Sequence, residues 1–247
     1  MEIRNLKKYY EDYLSLPFEE IQISYRRKKI LEHLVTYKAQ KICEIGCGLD
    51  PLFNYISSFE SIHIVEPILE FYDNACVMAK SKSNVTVHLG KLEDNIASLS
   101  KEKFDYIVMS SLLHEVENPE ELLRSVHQIS SANTVIHVNV PNAKSFHRIL
   151  AYEMGLISNI FEKSATQNKM QQFKTFDLEN LKSFVISHGF SVIESGSYFV
   201  KPFTHEQMQK MYTQNILTKE ILNGLYLMVK YMPEMGSEIF VNIKANK

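Results

Sequence analysis

The sequence predicts an α/β fold, a doubly wound and mostly parallel sheet with helices on both faces. It also predicts N-terminal helices and a helical insertion after the fifth strand. Two observations support this fold class. Short apolar runs alternate with amphipathic segments between residues 41 and 142, which is typical of a parallel sheet covered by helices. A glycine-containing turn follows the first apolar run, at the place where such sheets bind ligands.

The predicted elements follow in chain order. Apolar side chains recur at helical spacing from residue 20 to residue 38, and we expect residues 1–38 to form an N-terminal helical cap. The stretch "PLFNYISSF" after the first strand predicts a short helix, and residues 177–189 predict a longer amphipathic one. The five predicted strands lie in "KICEIG", "SIHIVEP", "VTVHLG", "FDYIVMSSLLH" and "TVIHVNVPN", and later strands lie in "SVIESGSYFVKPF" and "GSEIFVNIKAN".

The chain is predicted to form a single domain over residues 1–247. Residues 143–176 interrupt the alternation of strands and helices with helix-like and polar sequence. An irregular segment at this place is suited to a lid or to substrate recognition. The apolar stretch "EILNGLYLMVKYM" near the end predicts a helix that packs either on its own chain or in a homodimer.

Composition excludes several classes of protein. The chain has 27 basic and 29 acidic residues, and this balance gives no sign of a nucleic-acid partner. Its three cysteines form no Cys-x-x-Cys pair, so we expect neither a disulfide framework nor a metal site. The N-terminus is too charged for a signal peptide, and no apolar run reaches the ~20 residues of a membrane span. We therefore expect a cytoplasmic protein.

The stretch "KICEIGCGLDPLF" carries the chemistry. Gly46 and Gly48 leave the backbone bare, so a ligand can approach it closely. A dinucleotide site needs a third glycine where Pro51 stands, which disfavours a pyrophosphate ligand. Glu44 before the turn suits an ammonium group, and Glu66 at the end of the second strand suits ribose hydroxyls. S-adenosylmethionine carries both groups.

Four motifs occur in order over residues 40 to 142: "EIGCG", "VEP", "HLGKLED" and "FDYIVMSSLLHEVENPEELL". This series resembles that of class I S-adenosylmethionine-dependent methyltransferases, which have a Rossmann-like fold. The resemblance implies S-adenosyl-L-methionine as cofactor and S-adenosyl-L-homocysteine as product. The pattern departs at Lys91, where relatives often carry an acidic or small residue. By resemblance the cofactor-binding residues are Glu44, Gly46, Cys47, Gly48, Glu66, Pro67, Leu92, Glu93, Ser110, Ser111 and Leu112.

The second half of the chain carries another resemblance. The stretches "VPNAKSFHRILAYEMGLI" and "KTFDLENLKSFVISHGFSVIESGSYFVKPFTHEQM" resemble bacterial methyltransferases of surface-polysaccharide and sugar biosynthesis. This resemblance implies a carbohydrate acceptor, either a sugar nucleotide or a precursor of capsule polysaccharide or lipopolysaccharide.

Methyl transfer to a hydroxyl requires alignment of the two reactants and a base that removes the proton. His114 follows the fourth strand at the mouth of the expected cleft, and we expect it to be the base, with a histidine bonded to backbone as the alternative. His147 and Asn139 would assist it. The expected substrate contacts are Asn142, Arg148, Tyr25 and Arg26.

Three alternatives to sugar O-methylation stay open at this point. An amine acceptor, such as an amino sugar, would need less base catalysis than a hydroxyl. An NAD-dependent sugar oxidoreductase would use the same acidic residue on its ribose, although the third glycine is missing. A non-catalytic partner would keep the fold without turnover.

Overall fold

The computed structural model describes residues 4 to 247, and in these residues seven strands form one sheet. The strands are β1 (Lys41–Ile45), β2 (Ser61–Glu66), β3 (Val85–Leu89), β4 (Tyr106–Ser110), β5 (Val135–Pro141), β6 (Phe190–Tyr198) and β7 (Glu238–Ala245). The helices are α1 (Leu6–Tyr13), α2 (Glu19–Thr36), α3 (Leu69–Ala79), α4 (Leu92–Leu99), α5 (Pro119–Ile129), α6 (Phe146–Glu153), α7 (Ala165–Lys169), α8 (Leu178–Ser187), α9 (His205–Thr213) and α10 (Lys219–Leu227).

The strand order is β3-β2-β1-β4-β5-β7-β6. The first five strands run parallel, and β7 runs antiparallel between β5 and β6. The order reverses between β1 and β4, so the carboxyl ends of these two strands open a crevice in which a ligand can bind. The predicted α/β fold with a mostly parallel sheet is confirmed.

The sheet is buried on both faces because its parallel strands carry apolar residues at successive positions. Ile42 and Cys43 on β1 are both fully buried, although neighbouring residues of a strand point to opposite faces. Ile42 belongs to the core that contains Ile30 and Leu34 of α2. Cys43 belongs to the core on the other face, which contains Leu123 of α5. The helix α2 therefore covers one face of the sheet.

Three helical elements differ from the sequence prediction. The helix expected after β1 is a single 3₁₀ turn, Leu52–Asn54, because Pro51 precedes it and the carboxylate of Glu44 accepts the Leu52 N–H at 3.0 Å. The helix α4, which has only eight residues, was not predicted from the sequence. The long helical stretch after β6 is divided into α9 and α10, with Asn215 in the left-handed region at φ +57° between them.

The insertion after β5 is tied to the rest of the chain at both ends. The amide of Asn142 donates to the carbonyl oxygens of Glu234 and Gly236, both at 2.8 Å, and the Ala143 N–H donates to the Phe176 oxygen at 2.8 Å. Between these ends lie α6 and α7. Within residues 4–247, no helix has both the length and the apolar character that crossing a membrane requires.

Candidate active site

A cavity of about 520 Å³ opens at the carboxyl ends of β1, β2, β4 and β5. Its walls come from the glycine turn, from α1 and the start of α2, from the insertion, and from the segment between β6 and α9. A cavity of this size is in the range that holds a small-molecule ligand. Nine predicted cofactor residues line it: Glu44, Gly46, Cys47, Gly48, Glu66, Pro67, Ser110, Ser111 and Leu112.

The glycine turn needs its glycines for their backbone conformation. Gly46 has φ +77° and Gly48 has φ +58°, a region that other residues adopt only with strain. The Gly46 N–H donates to the Val65 oxygen at 2.8 Å, which fixes the turn against β2. A Cβ on Gly48 would lie 3.5 Å from the hydroxyl of Tyr13, so α1 lies directly over the turn.

Glu66 holds the turn from the end of β2. One carboxylate oxygen accepts the N–H groups of Cys47 at 3.0 Å and Gly48 at 3.2 Å, and the other accepts the Ile68 N–H at 3.0 Å. Burial raises the pKa of Glu66, while the three backbone donors favour its charged form. The Cys47 thiol adds a fourth donor, at 3.7 Å from the oxygen that accepts the Cys47 and Gly48 N–H groups. The other oxygen accepts only the Ile68 N–H, so one of its two acceptor positions is open to a hydroxyl of the ligand.

Glu44 is a second buried carboxyl beside the turn and is 4% exposed. Burial raises its pKa to about 8, and the charge of Glu66 acts in the same direction. Glu44 is therefore mostly protonated at pH 7. A positively charged ligand group beside it would favour the ionised form.

The segment after β4 turns sharply at Ser111. This residue has φ +54°, which is unusual for a residue other than glycine, and its N–H donates to the Asn139 oxygen at 3.0 Å. Such conformations persist where the surrounding structure fixes them, often at functional sites. Ser111 and Leu112 thereby face the cavity.

His114 does not line the cavity, and this geometry gives no support to the prediction that it acts as the base. Its side chain is 2% exposed, and neither ring nitrogen has a hydrogen-bond partner among the described residues. Its Nε2 lies 3.5 Å from Glu115, whose side chain does line the cavity. The left-handed conformation of Ser111 changes the direction of the chain after β4. For this reason the closeness of His114 to the end of β4 in the sequence does not place its side chain in the cavity.

Four other predictions also miss the cavity, for reasons of packing. Leu92 is 2% exposed in the core beneath the sheet, and Glu93 next to it does not line the cavity either. Asn139 is fully buried, and its side-chain amide donates a hydrogen bond to Glu238 at 2.9 Å. It therefore contacts a cavity residue and does not line the cavity itself. Tyr25 stacks on Phe199 with the ring centroids 4.6 Å apart, and its hydroxyl donates to Asn223 at 3.1 Å.

Glu238, at the start of β7, lines the cavity together with Gln22 and Arg26 of α2. It accepts hydrogen bonds from Arg26, with Nε at 3.0 Å and Nη2 at 2.6 Å, and from Gln22 at 3.0 Å. Asn139 and the hydroxyl of Tyr198 complete the set. The positive charge of Arg26 and these hydrogen bonds outweigh burial and lower the pKa of Glu238 to about 2. Sequence reasoning missed Glu238 because no local pattern marks it.

The predicted substrate residues that reach the cavity are Arg26, Asn142 and Arg148. All three have partners within the protein. Arg26 is held by Glu238 and by Glu19, whose carboxylate lies 3.3 Å from Nη1. Arg148 donates to the carbonyl oxygen of Ile160 at 2.7 Å and to Gln167 at 3.2 Å. Arg148 thus joins two parts of the insertion by hydrogen bonds and also lines the cavity.

His147, at the start of α6, presents an imidazole to the cavity. Its Nδ1 is buried and has no hydrogen-bond partner among the described residues. Burial is the main cause that lowers the pKa of His147 well below its usual value, and the nearby Lys201 and His205 add to the effect. Lys201 and His205 line the same part of the cavity. Sequence reasoning did not single out Lys201 and assigned His205 a structural or exposed role.

The start of the described chain covers the cofactor side. Arg4 forms an ion pair with Glu115 at 2.6 Å, and its guanidinium lies 3.7 Å from the ring centroid of Tyr9. Tyr9 and Tyr13 line the cavity from α1. The N–H of Asn5 donates to Gln171 of the insertion at 2.8 Å. The helix α1 and the insertion therefore meet above the glycine turn.

Comparison with known proteins places this geometry in a family. A family model described as a methyltransferase domain matches residues 19–195, and the chain belongs to this methyltransferase family. Comparison with curated protein sequences gives no significant match.

Among solved structures, the plantazolicin methyltransferase BamL, in complex with a desmethyl analogue of plantazolicin and S-adenosylhomocysteine, is 18% identical with a TM-score of 0.57. The match covers 93% of this chain and 88% of BamL. The N-methyltransferase NodS from Bradyrhizobium japonicum WM9, also with S-adenosylhomocysteine, is 10% identical with a TM-score of 0.56, over 94% of this chain and 90% of NodS. The N-terminal domain of EvdMO1, in the presence of S-adenosylhomocysteine and D-fucose, is 13% identical with a TM-score of 0.50, over 89% of this chain and 82% of that chain.

The protein is thus a methyltransferase that uses S-adenosylmethionine. The residues around the glycine turn fit this cofactor, because Glu66 keeps an acceptor position for a hydroxyl and Glu44 is a carboxyl that an ammonium group would ionise. The alternatives of an NAD-dependent oxidoreductase and of a non-catalytic partner are set aside with this assignment.

Proposed function

We propose that this methyltransferase O-methylates a small polar acceptor, a sugar or sugar nucleotide, and that His147 is the general base. The observation that carries the proposal is the imidazole of His147, whose Nδ1 has no hydrogen-bond partner within residues 4–247 and which lies in the same cavity as the glycine turn and Glu66. When bound, the cofactor supplies a methyl group on a positively charged sulfur. The chain has to orient the acceptor and remove its proton.

His147 is in the protonation state that a general base needs. Burial lowers its pKa well below the usual value, so the ring is neutral at pH 7 and has a nitrogen that can accept a proton, although the same shift makes the imidazole a weaker base than a free one. It stands on the first turn of α6, a position fixed by the hydrogen bond from the Phe146 N–H to the Met235 oxygen at 3.0 Å. A histidine at such a site contributes on the order of 10²- to 10⁴-fold to a proton-transfer step.

The acceptor side of the cavity has the polarity expected for hydroxyl groups. Carboxylates, an amide, a hydroxyl and an amine line it, from Glu19, Glu238, Gln22, Thr204 and Lys201. Such groups form directional hydrogen bonds with a polyhydroxylated ligand, and the apolar remainder of the wall would cover its carbon face. The presence of D-fucose in the EvdMO1 structure is consistent with a sugar acceptor in this fold. The resemblance to enzymes of surface-polysaccharide biosynthesis points the same way.

Residues 143–176 form the recognition segment in this proposal. Ala151, Leu156 and Gln167 of the insertion line the cavity opposite Glu238. The bonds of Arg148 to Ile160 and Gln167 hold the segment in shape. Exchange of this insertion should therefore change the acceptor range.

The test uses S-adenosylmethionine labelled with ¹³C at the methyl group and a panel of neutral sugars, sugar phosphates, uronic acids and amino sugars. The atom that carries the label in the product is identified by NMR. Transfer to a sugar oxygen supports the proposal. Transfer to nitrogen on an amino sugar would instead establish the N-methyltransferase alternative, which the fold of NodS also permits. No transfer to any sugar, with binding of S-adenosylhomocysteine intact, would overturn the carbohydrate acceptor.

A further inference from the structure

We propose that the acceptor carries a negatively charged oxygen group, a carboxylate or a phosphate, and that this group binds at Lys201, His205 and the N-terminus of α9. The inference rests on the proposed acceptor site and specifies the chemistry of what that site binds. The three elements are called the anion subsite below.

Lys201 is the first reason for the anion subsite. Its side chain lines the cavity, yet the residue is only 3% exposed. In residues 4–247 its amine has neither a hydrogen bond nor an ion pair within 4.0 Å. A buried ammonium without a partner is costly, so its position is best explained by a ligand that supplies the counter-charge.

The other cations of the cavity differ from Lys201 in this respect. Arg4 pairs with Glu115, Arg26 with Glu238, and Arg27 with Asp50 at 2.7 Å. Arg148 donates to carbonyl oxygens of the insertion. Lys201 is thus the one cavity cation whose charge the described part of the chain leaves without a contact.

The backbone that presents Lys201 is fixed from both sides. The preceding Phe199 adopts φ +59°, and its carbonyl accepts the Ser237 N–H at 2.8 Å. The Val200 N–H donates to the Leu225 oxygen at 3.0 Å. These contacts fix the backbone at Lys201 before a ligand arrives, which reduces the entropy lost on binding.

His205 and the N-terminus of α9 are the second reason. His205 is the first residue of this nine-residue helix, lines the cavity, and has a buried Nε2 without a partner in the described residues. Thr204 Oγ1 caps the Gln207 N–H, which leaves the N–H groups of His205 and Glu206 in the first turn of α9, and these groups and the helix dipole favour an anion. Because Lys201, Thr204 and His205 line the same cavity, an ammonium, an imidazole and this helix N-terminus are together the donors for one oxyanion.

The charged groups that face Lys201 are Glu19 and Arg26 of α2 and Glu238 of β7, with His147 of α6 and His205 of α9 beside them. Glu238 and Glu19 both pair with Arg26, and neither carboxylate lies within 4.0 Å of the Lys201 amine. Burial lowers the pKa of Lys201 to about 8, so the amine is charged at pH 7. Anion affinity should therefore fall as the pH is raised through 8.

The test measures binding of inorganic phosphate and, separately, acetate to the complex with S-adenosylhomocysteine by calorimetry at pH 7. Lys201→Met keeps the length of the side chain and removes the charge. Lys210→Met is the matched control, because Lys210 is an exposed lysine on the same α9. We expect at least a tenfold loss of anion affinity in Lys201→Met and none in Lys210→Met. His205→Gln serves as the second variant if Lys201→Met does not fold, and its affinity for the anion should be several-fold lower than that of the native protein.

The two anions distinguish the source of the charged group. Tighter phosphate binding indicates a sugar phosphate or nucleotide, and tighter acetate binding indicates a carboxylate on the acceptor. Absence of binding of both anions to the native protein, or equal binding to native protein and to the Lys201 and His205 variants, would overturn the anion subsite. Because these probes need no methyl transfer, this result is independent of whether a sugar is the acceptor.

Discussion

Arg26 of α2 and Glu238 of β7 form a buried ion pair, with Nη2 2.6 Å from the carboxylate, between residues 212 positions apart. The pair joins the N-terminal helices to the antiparallel strand that closes the sheet. It also places two charged groups in the lining of the cavity. Fold and site thus depend on the same contact.

Glu238→Gln should destabilise the protein by about 3 kcal/mol at pH 7, since the pKa of about 2 lies well below the usual 4.5. Because the pKa of Glu238 is lower in the folded than in the unfolded protein, its ionised form stabilises the folded protein above pH 4.5. This stabilisation is lost as the pH falls toward 2. Urea unfolding of native and variant protein should therefore converge between pH 4.5 and 2. Glu234→Gln, at an exposed position near the same strand, is the control. A variant as stable as native at pH 7 would refute the role of the pair.

Glu66→Gln should weaken binding of S-adenosylhomocysteine by roughly 10- to 100-fold, because hydrogen bonds to a charged group contribute about 1.5–3 kcal/mol. The change also removes the carboxylate that holds the N–H groups of Cys47 and Gly48. Calorimetric titration measures the effect. Glu70→Gln, exposed on the first turn of α3, should bind as the native protein does. If the Glu66→Gln and Glu70→Gln variants bound S-adenosylhomocysteine with equal affinity, Glu66 would not be part of the cofactor site.

Glu44 should release a proton when the cofactor product binds. At pH 7 the carboxyl is mostly protonated, with a pKa of about 8, and an adjacent ligand ammonium would ionise it. We expect release of close to one proton, measured by titration in buffers of different ionisation enthalpy, and tighter binding as the pH rises toward 8. Glu44→Gln should abolish the release. Proton uptake, or the same release from the variant, would show that the ammonium binds elsewhere.

Gly48→Ala should lower stability by about 1–2 kcal/mol, because alanine at φ +58° is strained. Space is not the obstacle, since the nearest atom to the added methyl, the Tyr13 hydroxyl, lies at 3.5 Å. Thermal unfolding measures the loss. Gly224→Ala, in α10 with nothing within 4 Å of the added methyl, is expected to be neutral or stabilising. A Gly48→Ala protein as stable as native would contradict the conformational argument.

The sequence predicted the sheet and the cofactor turn because both depend on local patterns. Alternation of apolar runs and helices places β1 to β5, and the spacing of Gly46 and Gly48 marks the turn. Glu66 was predicted from its place at the end of the second strand. Each of these features is determined within about 25 residues of chain.

The rest of the candidate site depends on tertiary contacts that no local pattern reveals. The sequence predicted His114 as the base with His147 assisting it, and the left-handed turn at Ser111 is a tertiary feature that puts His114 in the core. Lys201 becomes a cavity residue because Phe199 and β7 fix its backbone. Glu238 acquires its role from Arg26, which comes from the opposite end of the chain.

The measurement that tests the account most directly compares His147→Gln with His114→Gln in single-turnover methyl transfer, using an acceptor from the sugar panel. Both variants should bind S-adenosylhomocysteine as the native protein does. We predict that His147→Gln slows transfer by about 10²- to 10⁴-fold. We also predict that the native rate stays constant through neutral pH, because His147 is already neutral there. His114→Gln should change stability and leave the rate of transfer near native. A fast His147→Gln enzyme together with a slow His114→Gln enzyme would contradict the site described above and restore His114 as the base.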